Sequence, residues 1–598
     1  MKIRSASVVV AAFLSLSTAL IAQSIPPAVK AAEASIDGEK IRAQVRFLSD
    51  DLLEGRGPGL RGSEIAAKYI ATQFALYGLK PGGDNGTFLQ QINFVGMKVI
   101  PEKTTMSLIP KKPAGMSIDL HSIDLTYAED YTVSNRMLTP SVDIDAPIVF
   151  VGYGAIAPEF QWDDYAGVDV KGKVILCIVG DPPSTDPSFF GGDALTYYGR
   201  WTYKFEEAAR KGAVGALIIH RTDLASYGWD VVKNSNTSEK TYLRDDKNPQ
   251  LEAASWIQLD VAKKIFAASG LDADAEIVAA GKRGFKAVEL PVRLQAHVES
   301  TVRPFQSPNV VGILPGANAG GKDQAVMYTA HYDHLGFVAG MAGDNIYNGA
   351  ADNGTGCGML LEMARAWAES GVKLPHSIVF ASVTAEEQGL LGSEYLGQHP
   401  PIPAGQIALD INYDMILPIG VPLETNVNGA QRTTFYPTVE ATAKRFNLAI
   451  VPDPKPSAGS YYRSDHFSLS RVGIPAFSIE TGNLYEGHDA AWGHKQHEEF
   501  TEHDYHNFSD NFHEDWDFSG NAKLDRFGME LGWEALSAPA MIQWKAKDEF
   551  EAARKASQGE VDRAKVRPEN LSRNCPAGFS LRVSRSRRSL ESSRRFGR

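Results

Sequence analysis

Ala325-Val-Met-Tyr-Thr-Ala-His331-Tyr-Asp333-His334-Leu-Gly336 is an apolar run that ends in imidazoles and a carboxylate, and the same pattern recurs twice downstream. Ser377-Ile-Val-Phe-Ala-Ser-Val383 leads into Thr384-Ala-Glu386-Glu387, and Ile407-Ala-Leu-Asp-Ile-Asn412 leads into Tyr413-Asp414-Met415. Short apolar runs bounded by polar and turn-forming residues read as buried strands. Between the first two, residues 356–370 carry apolar side chains at helical spacing. The order strand, helix, strand is the signature of a parallel sheet with helices on its faces. In such sheets ligands sit at the carboxyl ends of the strands, so these clusters should converge in one crevice together with Asn348-Gly-Ala-Ala-Asp352-Asn353-Gly-Thr-Gly356. Imidazoles and carboxylates without thiolates suit zinc or a similar divalent ion.

Taken together and in this order, the clusters resemble the M28 zinc peptidases, di-zinc aminopeptidases whose motifs run His-x-Asp, Asp-Asn, Glu-Glu, Asp, His. The resemblance extends over residues 40–545. Any one of these motifs alone occurs by chance in many soluble proteins as a solvated pair; their succession in register is what makes them specific. The resemblance implies a zinc-exopeptidase-type α/β fold, with a mixed, largely parallel sheet flanked by helices and an inserted small α/β domain. It makes His331 a ligand of a first zinc, Asp414 the residue that completes that site, Asp352 the carboxylate bridging both ions, and Glu387 a ligand of the second. Glu386 is then free of metal to act as general base. Asp333, two residues after His331 and on the same side if the segment stays extended, orients the imidazole.

The last ligand lies in residues 487–517, which hold many histidines. Tyr505-His506-Asn-Phe-Ser-Asp510 follows the family's Tyr-His-x-Pro-x-Asp, with Phe508 in place of proline, and so selects His506 over its rivals His488 and His513. Tyr462 is the expected substrate contact, with Asp465 and His466 as supports of the site wall.

The implied chemistry is hydrolysis of a peptide bond by water activated on a divalent ion, with Glu386 relaying the proton to the leaving amine. A second ion offers a place for a free N-terminal amine, which favours an exopeptidase releasing N-terminal residues. A carboxypeptidase, a glutaminyl cyclase and a non-catalytic receptor-like protein share the scaffold. His331 is intact, against the one-metal cyclase, and every ligand type is in place, against the receptor. No arginine cluster flanks the motifs, although Arg463 keeps the carboxypeptidase reading open.

The chain has 598 residues, 43% of them hydrophobic, enough for two or three domains. Residues 1–22 combine Lys2 and Arg4 with an apolar run too short to span a membrane, and read as a signal peptide for periplasmic or secreted export. The formal net charge is −12, and about −21 without that segment and the Arg-rich end from Arg573 to Arg598. Such an acidic body disfavours nucleic acid. Residues 38–125 are assigned to the first part of the peptidase domain. There Leu53-Glu-Gly-Arg-Gly-Pro-Gly-Leu-Arg-Gly62 reads as an ordinary loop, because no Gly-Lys-Ser/Thr follows. Residues 126–292 look like a protease-associated domain, in which Tyr197, Tyr198, Trp201 and Tyr203 are expected in the core or facing the cleft. Residues 293–548 form the catalytic domain, and 549–598 a charged, disordered tail. Cys177, Cys357 and Cys575 show no metal or disulfide spacing, and the first two read as small buried residues.

Overall fold

The computed structural model describes residues 25–111, 121–225, 227–317 and 324–570. The N-terminal part contributes α1 (Gly38–Leu48), α2 (Arg61–Leu76) and β1 (Leu89–Val99). Next come β2 (Ser141–Phe150), β3 (Val174–Ile178), α3 (Trp201–Arg210), β4 (Gly215–Ile219) and β5 (Ala253–Ile257). The remainder comprises β6 (Val288–Leu314), β7 (Ala325–His331), α4 (Gly356–Glu369), β8 (Ser377–Val383), α5 (Leu391–Gln398) and β9 (Ile407–Tyr413), then β10 (Ala476–Thr481), α6 (Ala490–His503), α7 (Ser519–Leu536) and α8 (Glu551–Asn570).

One sheet runs in the order β1, β6, β8, β7, β9, β10. β8, β7, β9 and β10 are parallel, while β1 and β6 run antiparallel to their neighbours. Every residue of β7, β8 and β9 is buried. That explains why these strands read as unbroken apolar runs: alternate side chains enter two different cores. Val326, Tyr328 and Ala330 pack with α1, α2, α4 and α7, whereas Ala325 and Met327 pack with Leu396 of α5 and Leu469.

Helix α7 lies close because it carries glycine where the sheet carries tyrosine. A Cβ on Gly528 would sit 1.8 Å from the Tyr413 hydroxyl, and one on Gly532 would sit 1.8 Å from that of Tyr328. Gly528→Ala is therefore expected to destabilise the protein by about 1–3 kcal/mol through overpacking, despite alanine's better helix propensity. Urea denaturation reads the change; an unaltered or higher midpoint would contradict it.

A second sheet places β2, β3, β4 and β5 in parallel order, with Tyr131–Ser134 antiparallel on the far side of β5. Strand β6 belongs to both sheets. Its first part pairs with β2 up to Glu299, and from Ser300 it pairs with β1. Within that first part Leu290, Val292, Leu294, Ala296 and Val298 face the second core at period two. Thr105–Pro110 joins the same sheet. The second sheet is thus drawn from residues 105–299, not 126–292. A strand that continues from one sheet into the next carries no turn signal at the handover, and the sequence boundary fell inside it.

The C-terminal assignment also changes. Residues 551–570 of the expected tail form α8, in which Arg554 is buried, with Phe550 buried just before it. Arg554 donates to the carbonyls of Ala404, Ile407 and Ile542, so the helix is held by one buried guanidinium and not by an apolar stripe. The signal-like residues 1–22, Cys575 and the Arg-rich end lie outside the described residues. No helix among the described residues is long and apolar enough to cross a membrane.

Candidate metal centre

The carboxyl ends of the parallel strands bring the sequence clusters together. His331 ends β7, Glu386 and Glu387 follow β8, Asp414 follows β9, and Asp352 lies in the wide turn Ala350–Thr355 that leads into α4. Asn353 pins that turn to the end of β9: its amide donates to the Tyr413 carbonyl, and its oxygen accepts from the N–H groups of Gly356 and Met415. His506, just beyond α6, reaches the same point from a left-handed backbone conformation with φ 57°.

Asp352 sits between two clusters. Its Oδ1 is 3.3 Å from His331 Nε2, which is also 3.2 Å from Asp414 Oδ1. Its Oδ2 is 3.3 Å from His506 Nε2, which is 3.0 Å from Glu387 Oε2. All five expected ligands therefore meet. His488 instead stacks on Trp492 at 3.7 Å between ring centroids, and His513 packs against Trp516 at 5.3 Å. Glu386 points into the first cluster, with Oε2 4.0 Å from His331 Nε2.

Asp333 and Tyr462 each have a further partner. The His331 Nδ1 partner is the backbone carbonyl of Asp333 at 3.2 Å, while the Asp333 carboxylate accepts the backbone N–H of Glu386 at 3.1 Å. The Asp333 carboxylate also lies 3.9 Å from His331 Nδ1, so it stands beside both the imidazole and the Glu386 backbone. The Tyr462 hydroxyl donates to Glu549 at 2.7 Å, and the ring packs against Tyr461 and Phe467 along the cleft wall. Asp465 and His466 are buried behind the site.

Four partners went unassigned in the sequence. His334 Nδ1 lies 2.7 Å from Glu387 Oε1. Asp510, in the same motif as His506, accepts the N–H groups of Ala351 and Asp352 and so fixes the turn that carries the shared carboxylate. Ser464 donates to the outer oxygen of Asp414 at 2.6 Å. Arg56, in the glycine-rich loop, is buried behind the site and donates to the carbonyls of Tyr332, Leu48, Asn348 and Gly349. Of these, His334 and Asp510 stood inside the quoted motifs; Arg56 had no local signal.

The electrostatics point to missing positive charge. Among the described residues, Asp333, Asp352, Glu386, Glu387, Asp414, Asp465 and Asp510 are faced by the imidazoles of His331, His334 and His506 and by the Arg56 guanidinium, fewer cationic groups than acids. Burial pushes the Glu386 carboxyl well above its usual range, and lifts Asp333 and Asp465 to about 7. Against burial and the charge of Asp352, His506 and His334 draw Glu387 down to about 2. Buried acids in such excess need cations. The donor atoms, imidazole nitrogens and carboxylate oxygens within 4.8 Å of one another in each of His331–Asp352–Asp414 and His334–Asp352–Glu387, fit a zinc-like ion.

The site is thus of a metal-binding type, built at the carboxyl edge of a parallel sheet. Residues 309–524, which contain all of it, match the family model described as Peptidase family M28. Among curated proteins the chain is 29% identical over 220 residues to Leupeptin-inactivating enzyme 1 of Streptomyces exfoliatus, covering 35% of this chain and 44% of that one. It is 36% identical over 111 residues to Aminopeptidase YwaD of Bacillus subtilis (strain 168), covering 19% and 21%. The chain spans less than half the length of the curated relatives it matches. A solved structure titled as an aminopeptidase from Aneurinibacillus sp. strain AM-1 superposes with a TM-score of 0.46 at 18% identity, covering 85% of this chain and 96% of that one.

Proposed function

We propose that this chain is a zinc-dependent exopeptidase that removes N-terminal amino acids from peptides, holding two zinc ions through His331 and Asp414 on one side, Glu387 and His506 on the other, and Asp352 between them. The observation that carries this reading is Asp352, whose two oxygens face two separate imidazole and carboxylate groups. The match of residues 309–524 to a peptidase family supports it.

When bound, such ions supply Lewis acidity that polarises the scissile carbonyl and acidifies water. The Glu386 carboxylate takes the proton of the attacking water and hands it to the leaving amine. Asp333, bonded to the Glu386 backbone, keeps that base aimed into the crevice. Asp510 and Asn353 hold the Asp352 turn, and Ser464 holds Asp414, so the charged groups need little rearrangement during the reaction. The second sheet, read as a protease-associated domain, forms the opposite wall of the cleft through α3, and Lys240 and Tyr242, on a strand paired with β1, line the cleft beside it.

A panel of aminoacyl-anilides beside their N-acetylated counterparts tests this. Release of the N-terminal residue from free-amine substrates alone is expected, abolished by a chelator and restored by zinc. His506→Ala should lower the zinc content from two ions to about one. Equal cleavage of the blocked substrates, or release of a C-terminal residue by mass spectrometry, would overturn the aminopeptidase reading.

A further inference from the structure

The cavity beside the metal centre has a volume of about 500 Å³ and is walled by both sheets. Glu386, Glu387 and Tyr505 border it at the reacting end, and Arg463 and Arg200 lie along the same cavity. These two arginines are 263 positions apart in the sequence, yet close enough for the charge of Arg463 to disfavour that of Arg200. Of the remaining arginines along the cleft, Arg136 lies over the rings of Phe205 and Tyr242, its Nε also shielded and without an acceptor, and the others are paired. Arg471 pairs with Glu206 at 3.0 Å, Arg210 with Glu207 at 2.8 Å, and Arg244 with Asp245 at 3.5 Å. Neither Arg200 nor Arg463 has a carboxylate partner or a side-chain hydrogen bond among the described residues.

Simple solvation accounts for Arg463, whose side chain is exposed. It does not account for Arg200. Its Nε is shielded from solvent with no acceptor, and burial together with Arg463 pushes the guanidinium down to about 10. An unsatisfied buried donor beside a like charge is unfavourable until an anion arrives. Two guanidinium groups converging from different walls on one cavity are suited to the planar, bidentate geometry of a carboxylate. In a chain of net charge −12, unpaired cations gathered in one cleft are also the reverse of the surface as a whole.

We infer that Arg200 and Arg463 form an anion subsite that takes a carboxylate of the substrate. The inference rests on the cleft being peptide-binding, as proposed above. The carboxylate has two sources: the C-terminus of a short peptide, or an acidic side chain on its N-terminal residue. The first would make this protein an enzyme of di- and tripeptides, the second an enzyme selective for acidic N-termini.

Two substrate pairs separate them. Leu-Gly-Gly against Leu-Gly-Gly amide isolates the terminal carboxylate, and Glu-Gly-Gly amide against Gln-Gly-Gly amide isolates the side chain. The zinc-loaded protein should prefer the carboxylate member of one pair by about tenfold or more in kcat/KM, carried by KM. Calorimetry on zinc-loaded Glu386→Gln should show the same preference in binding. Arg463→Ala and Arg200→Ala should each bring that ratio close to one, with Arg463→Lys recovering part of it. Arg463 is exposed, so its variant keeps the test decisive if Arg200→Ala fails to fold. Ratios near one in both pairs, or a preference that survives both alanine variants, would overturn the subsite. Hydrolysis without preference would sink the subsite and leave the function standing. Preferential binding without hydrolysis of any peptide would do the reverse, and neither binding nor hydrolysis would end both.

Discussion

Glu386→Gln is expected to lower kcat by about two to four orders of magnitude, the range a positioned general acid or base contributes. Zinc content and unfolding midpoint should stay at wild-type values. Glutamine keeps the shape of the side chain and its place near His331, but has no useful proton affinity at neutral pH. The remaining groups still bind and orient substrate, so a residual rate above the uncatalysed one should persist. The base must be ionised to act, and burial works against that. His331 at 4.0 Å opposes burial, and cations held at Asp352 would do so more strongly. Metal analysis and steady-state kinetics on one preparation decide the matter. Activity above about a tenth of wild type would remove Glu386 from the base role, and loss of zinc would move it into the ligand set.

The strands, and the polar residues that converge at their ends, were legible because parallel strands buried on both faces read as apolar runs, and polar residues at their ends have no packing reason to be there. His506 was legible through the spacing of Tyr505, His506 and Asp510, although phenylalanine stands where proline was expected. What escaped depends on tertiary closure. His334 is adjacent to Asp333, yet nothing in the local pattern says that it turns toward Glu387. Arg463 was seen as isolated because Arg200 reaches the same cavity only after the second sheet folds over it. Helix α8 lacks an apolar stripe and was assigned to the tail, since a single buried arginine leaves no periodic trace.

Arg56 is the most consequential of the residues that local pattern concealed. Its guanidinium is fully buried, and its donors join the end of α1, through the Leu48 carbonyl, to Tyr332 beside His331 and to Asn348 and Gly349 before Asp352. Burial pushes its pKa down, while nearby Asp510, Asp333 and Asp352 favour the charge. Arg56→Ala would remove both the charge and the donors to four carbonyls in a space that water can only partly refill. A loss of about 3–5 kcal/mol is expected, with a fall in melting temperature on the order of 10 °C. Arg56→Lys should recover only a small part, because one ammonium cannot span carbonyls on three segments of chain. Zinc affinity should fall as well, since the turn that presents Asp352 loses its anchor. Calorimetric unfolding with and without zinc separates the two effects: a deficit that excess zinc fully repairs would place Arg56 in service of the site alone, and a deficit that persists would make it a joint of the whole fold. A melting temperature within about 2 °C of wild type, read against the usual few degrees per kcal/mol, would mean that the four carbonyls find other donors and that the loop is as ordinary as its sequence looks.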